Sequence, residues 1–197
     1  MNEPSGDAQD ARDMARLVAG HETALNDLMD RHGQKLFHYL IRSLQNEDDA
    51  ADLAQETFVK VYQSRAKFDS SQKFTTWLYA IASNLVRDRY RWRSRHPQVS
   101  LDAELEQTVT NFKDNLPAEE KSPDRNLQIE ERATTVRKAV AALPDELRQP
   151  LILAVYEELP QSEIAVILHC SVKAVETRIY RARQRLRASL AELARTG

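Results

Sequence analysis

Ile164-Ala165-Val166-Ile167-Leu168-His169-Cys170-Ser171-Val172-Lys173-Ala174-Val175-Glu176-Thr177-Arg178-Ile179-Tyr180-Arg181 is the stretch that decides the fold. Ile164, Ala165 and Leu168 follow one helical apolar period, and Val172, Val175 and Ile179 follow another. His169-Cys170-Ser171 breaks the two apart, and Ser171 suits the N-cap of the second helix. A short helix, a tight turn and a basic helix make a helix-turn-helix. On the second helix, Val172, Val175, Ile179, Leu186 and Leu190 are expected to face inward. Thr177, Arg178, Arg181 and Arg185 face outward, flanked by Lys173, Tyr180 and Gln184. Residues near the start of such a helix reach base edges, and those further along meet phosphates.

Moving toward the N-terminus, helices are expected over about 145–157 and 161–168, with the basic helix running over 172–194. Helical period resumes at Leu127. From 97 to 126 it is lost: seven acidic residues stand against three basic ones, spotted with Pro97, Pro117 and Pro123. That composition reads as a flexible acidic linker. Before it lie a short helix over 10–19 that Gly20 can stop, and a longer one over 22–44. Asn46 can cap a third, whose first turn holds Glu47, Asp48 and Asp49, where the helix dipole favours negative charge. A turn near 68–73 precedes a fourth helix from Phe74, expected to bury Trp77, Leu78, Ile81, Leu85 and Trp92. It runs into a second basic stretch with interleaved aromatics, Arg87-Asp88-Arg89-Tyr90-Arg91-Trp92-Arg93-Ser94-Arg95. Guanidinium groups fork onto phosphates and guanine edges, and aromatic rings offer bases a stacking surface. The expected fold is therefore all-α: a helical domain at 1–96, the linker at 97–126, and a second helical domain at 127–197 containing the helix-turn-helix.

Composition agrees. The 197 residues suffice for two small domains, and only four are glycine, which favours helices. Cys170 is the one cysteine and cannot form an internal disulfide, as expected of a reducing cytoplasm. No apolar run approaches the roughly eighteen residues of a membrane span, and the polar, acidic start (1–10) reads as neither signal peptide nor anchor. The five histidines (His21, His32, His38, His96, His169) are scattered, with no Cys/His cluster and no glycine-rich phosphate loop. No cofactor, metal or enzymatic activity is expected. The net charge of −2 is unusual for a protein that binds DNA unaided.

Asp49-Ala50-Ala51-Asp52-Leu53-Ala54-Gln55-Glu56-Thr57-Phe58 strongly resembles the second conserved region of bacterial sigma factors. The resemblance extends through Phe74-Thr75-Thr76-Trp77-Leu78-Tyr79-Ala80-Ile81-Ala82-Ser83-Asn84. It resumes at Leu143-Pro144, at Ser162-Glu163-Ile164-Ala165 and at Thr177-Arg178-Ile179-Tyr180-Arg181-Ala182-Arg183. With only these two domains, the chain resembles the extracytoplasmic-function group (group 4) of the primary sigma class. The resemblance implies a cytoplasmic bacterial protein with three kinds of partner: core RNA polymerase, promoter DNA and an anti-sigma factor. It implies that Asp52, Gln55 and Glu56 dock on a coiled coil of the polymerase's largest subunit, and that the C-terminal domain meets the polymerase flap. It assigns the −10 element to the turn at Phe68, Lys73 and Phe74 and to Asn84, Arg87 and Arg91 on the fourth helix, with Tyr90 free to meet DNA. It assigns the −35 element to Lys173, Glu176, Thr177, Arg178, Tyr180, Arg181 and Arg185. The family's usual turn glycine is replaced by His169, which implies a positive φ, and its usual serine cap by Pro160, which a helix start tolerates. Glu176 stands where basic or polar residues are frequent; a carboxylate there can accept from a cytosine amino group or repel phosphate.

Opening about ten base pairs costs roughly 14 kcal/mol at about 1.4 kcal/mol per stacking step. Capturing one or two flipped bases returns only about 1–3 kcal/mol each. A chain of this size therefore needs polymerase contacts to hold a bubble open. The acidic linker can imitate a nucleic-acid backbone inside a basic channel, or serve as a soluble spacer. A regulator that binds DNA without being a sigma factor accounts for the C-terminal module but not for the Asp52–Glu56 pattern or the linker.

Overall fold

The computed structural model describes residues 6–96 and 133–196, and every regular element among them is a helix. In chain order these are α1 (Gly6–Val18), α2 (Thr23–Leu44), α3 (Glu47–Ser64), a 3-10 turn (Arg65–Lys67) and α4 (Phe74–Arg95). They continue as α5 (133–141), α6 (Asp145–Val155), α7 (Gln161–Ile167) and α8 (Val172–Thr196). The expected linker (97–126) and the start of the second domain (127–132) lie outside the described residues.

Local chemistry explains the boundaries. Gly20, at φ 96°, takes the left-handed conformation that turns the chain away after α1. Gln45, at φ 57°, closes α2 and donates its N–H to the Ile41 carbonyl at 2.8 Å. Asn46 is the expected cap of α3: its backbone is extended and its side-chain oxygen accepts from the Asp49 N–H at 2.8 Å. Ser171 Oγ accepts from the Ala174 N–H at 3.2 Å, so the cap expected for α8 is also present. His169 takes φ 50°, the left-handed conformation its position demands. Pro150 lies inside α6, a break the apolar period did not signal. It leaves the carbonyl of Glu146 without its helical donor, at an exposed residue.

α1 begins at Gly6, earlier than its apolar residues indicated, because two acids are part of its buried face. Asp13 is fully enclosed, and Asp10 nearly so. Arg31 of α2 pairs with both, reaching Asp13 at 2.8 Å. Arg16 pairs with Asp13 at 3.1 Å, and His32 donates to Asp10 at 2.8 Å. Burial pushes the Asp13 carboxyl up, but hydrogen bonds from Arg31, Gln9 and Arg16 outweigh it and leave it below its ordinary value.

The two modules are docked. α6 packs on α2 and α7 on α4, and one apolar cluster runs from Met14 and Leu36 through Leu78 to Ile152, Ile164 and Val175. Polar contacts cross the same junction. Tyr79 donates to Glu157 at 2.5 Å, and Lys73 and Thr76 donate to Glu163 at 2.6 and 3.1 Å. Arg42 stands 3.9 Å from Glu157 and stacks over the Tyr156 ring. Arg148, almost wholly buried, lies over the Tyr90 ring at 5.1 Å.

Candidate nucleic-acid interface

α8 carries the clearest candidate surface. Val175, Ile179 and Ala182 are buried against α6 and α7, which fixes the helix by one face. Lys173, Glu176, Tyr180, Arg181 and Arg185 are exposed on the other, and Thr177 and Arg178 are half-buried at its margins. Tyr180 is 62% exposed, far beyond what packing would require of a phenol ring. Gln184 donates to its hydroxyl at 2.8 Å and so steadies it over the basic face. Thr177 donates its hydroxyl to the Lys173 carbonyl at 2.8 Å, and Lys173 pairs with Glu176 at 2.9 Å. Val172, expected to face inward, is exposed instead. As the first residue after the cap it precedes the turn at which α8 begins to pack on its neighbours. Beside it, Ser162, Ala165, Val166, His169, Cys170 and Ser171 line a shallow hollow at the turn.

The second candidate surface follows the turn before α4 and the outer side of that helix. Asp69 accepts from the Ser71 N–H at 2.9 Å, which shapes the turn and holds the carboxyl below its ordinary value. Phe68 is half-buried against Trp77, ring centres 5.2 Å apart. Lys73 is exposed, but its ammonium is held by Glu163 of α7, which raises its pKa. Asn84 and Arg87 are half-buried, and Arg91 is exposed beside Asp88 at 3.6 Å.

Three aromatic expectations need correction. Phe74, expected to face DNA, is 1% exposed and packs among His32, Phe68 and Trp77, because it opens α4 directly over the α1–α2 junction. Tyr90, expected to be free, donates its hydroxyl to the Ser43 carbonyl at 2.5 Å and lies beneath Arg148. Burial pushes its pKa up. Trp92, expected in the core, is 40% exposed and stacks on His96 at 4.7 Å. α4 outruns its neighbours by its last turn, so no core remains for Trp92 to enter. The apolar stripe continues in sequence where the packing surface has ended.

On α3, Asp52, Gln55 and Glu56 are all exposed on one face, with Lys60 3.5 Å from Glu56. Asp49 differs: it pairs with Arg89 at 2.9 Å and with Arg93, and so anchors the basic end of α4 to α3. Sequence reasoning missed the junction residues Glu157, Glu163 and Arg148. A contact between residues some eighty positions apart leaves no trace in local period. Among the described residues no group of three or more His, Cys, Asp or Glu is placed to hold a metal, and no helix is long and apolar enough to cross a membrane.

Comparison with known proteins matches two segments of the chain to family models. Residues 28–96 match the family model for sigma-70 region 2, and residues 134–186 match that for sigma-70 region 4. The chain is 35% identical over 180 residues to the ECF RNA polymerase sigma factor SigW of Bacillus subtilis, covering 90% of this chain and 95% of that protein. It is 32% identical over 187 residues to the RNA polymerase sigma-H factor of Pseudomonas aeruginosa, covering 95% and 96%. Among solved structures, CnrH in complex with the cytosolic domain of CnrY is similar at a TM-score of 0.66 and 27% identity, covering 93% of this chain and 98% of that one. RpoE from Bartonella quintana, solved with the anti-sigma factor NepR, shares the fold at a TM-score of 0.63 and 23% identity, covering 84% and 96%.

Proposed function

This chain belongs to the extracytoplasmic-function sigma factors of the sigma-70 family, and from that premise we propose how its own residues serve initiation. It is an initiation factor rather than an enzyme. In our reading it is a cytoplasmic bacterial protein of group 4 in the primary sigma class. The domain of 1–96 binds core RNA polymerase through Asp52, Gln55 and Glu56. It meets the −10 element through Phe68, Lys73, Asn84, Arg87 and Arg91, while Phe74 and Tyr90 hold that surface from beneath. The domain of 127–197 reads the −35 element through Lys173, Glu176, Thr177, Arg178, Tyr180, Arg181 and Arg185, and meets the polymerase flap. An anti-sigma factor that covers these faces belongs to the same reading.

The observation that carries the proposal is the pairing, on one chain, of an exposed Asp52–Gln55–Glu56 face with a helix-turn-helix whose basic side is free. Neither surface alone would direct a polymerase. Run-off transcription from a pool of genomic promoters, with purified bacterial core polymerase, tests it. Discrete new transcripts sharing two upstream elements are expected, and Asp52→Ala or Arg181→Ala should abolish them. Specific duplex binding by the chain alone, without new transcripts, would instead favour a regulator that is not a sigma factor.

A further inference from the structure

Between Val172 and Arg187, α8 holds one carboxylate among six cations: Glu176 stands with Lys173, Arg178, Arg181, Arg183, Arg185 and Arg187 on the same helix, and Arg181 is on its exposed side. Glu176 is not tucked into the fold. Its side chain is 45% exposed, and its partner Lys173, 2.9 Å away, is 85% exposed. Both project from the first turns of a helix whose opposite face is buried, where a recognition helix approaches base edges.

A carboxylate carried toward DNA is repelled by phosphates, so its favourable partners are base amino groups. In the major groove these are cytosine N4 and adenine N6. Adenine places the N7 acceptor beside its amino group, which suits an amide side chain and repels a carboxylate. Cytosine has no such neighbour. The guanine paired with it shows only acceptors, O6 and N7, which suit an ammonium group. Lys173 and Glu176 are three residues apart and so share one helix face. Thr177 does not compete, because its hydroxyl proton is committed to the Lys173 carbonyl.

We propose that Lys173 and Glu176 together read one C·G base pair of the upstream element, Glu176 accepting from cytosine N4 and Lys173 donating to guanine O6 and N7. This rests on the −35 role proposed above for α8. It adds a base identity and assigns it to two residues.

The test uses the full-length chain with core polymerase and a promoter it transcribes, with every base of the upstream element replaced in turn. Wild-type protein should disfavour all replacements at one C·G position by roughly 5- to 150-fold. Glu176→Ala should reduce that preference to about twofold at this position alone, and Lys173→Ala should weaken it at the same pair. Glu176→Gln, an amide that both donates and accepts, should shift the preference toward A·T. If Glu176→Ala and Glu176→Gln leave the base profile unchanged, or change yield equally for all sequences, the inference is overturned. Selection of random duplexes by the full-length chain without polymerase separates this from failure of the sigma reading. A C·G preference that vanishes in Glu176→Ala upholds the base assignment even where no run-off product forms. An unchanged selection profile refutes it.

Discussion

Replacing Glu157 by alanine should loosen the docking of the two modules. Glu157 accepts from the Tyr79 hydroxyl at 2.5 Å and faces Arg42 at 3.9 Å, with its side chain only 8% exposed. Burial pushes the Tyr79 pKa well up, and the adjacent Glu157 carboxylate pushes it further, so the phenol stays protonated and keeps donating. A hydrogen bond to a charged group contributes about 1.5–3 kcal/mol. When the modules part, water replaces it, so that energy belongs to the docked state alone. Its loss should raise the ratio of open to docked molecules by about 10- to 150-fold. Glu163→Ala, which releases Lys73 and Thr76, should act in the same direction. Single-molecule energy transfer reads the effect directly, with dyes on cysteines placed at exposed Gln63 and Ala188 in a Cys170→Ser background. Glu146→Ala is the control, since it removes the same charge from an exposed position on α6. If Glu157→Ala shifts the distribution no further than Glu146→Ala, with helical content unchanged, the carboxylate does not hold the junction and the reasoning fails. A shift should also free Lys73, a residue assigned here to the −10 element.

Three further outcomes are expected. Asn46→Ala removes the cap of α3 and should cost about 1 kcal/mol, lowering the melting temperature by several degrees in a thermal scan. Asp13 has a folded pKa below its ordinary 3.8, so its stabilising effect is complete above that value and fades as the pH falls through and below it. Urea titrations of Asp13→Asn against wild type should therefore show the stability difference present at pH 6 and shrinking below about pH 4; a constant difference would argue against the ion pair. Trp92 should be the tryptophan reached by iodide, so Trp92→Phe should remove most of the quenchable fluorescence and leave the Trp77 signal shielded.

Helices and their ends were legible because their causes are local. Asn46, Ser171, Gly20 and His169 act on their own or nearby backbone, and the apolar period of α2 and α3 names its own buried face. The polar sides of α3 and α8 were legible for the same reason, since charge at helical spacing declares which side faces out; the polymerase and DNA roles proposed for them came from the family resemblance. The aromatic residues at the end of α4 were not. Tyr90 and Trp92 differ by two positions, and which of them is covered depends on where Arg148 and Ser43 arrive from distant parts of the chain. Likewise nothing in the local sequence marks Asp10 and Asp13 as buried; Arg31 and His32 enclose them from α2. By itself, then, the sequence determined the helical build, the caps and the family to which the chain belongs, all of which follow from spacing along one chain. Tertiary structure decided that the modules dock through Glu157 and Glu163, and that Trp92 rather than Tyr90 is open. These depend on distances in space, which spacing along the chain does not fix.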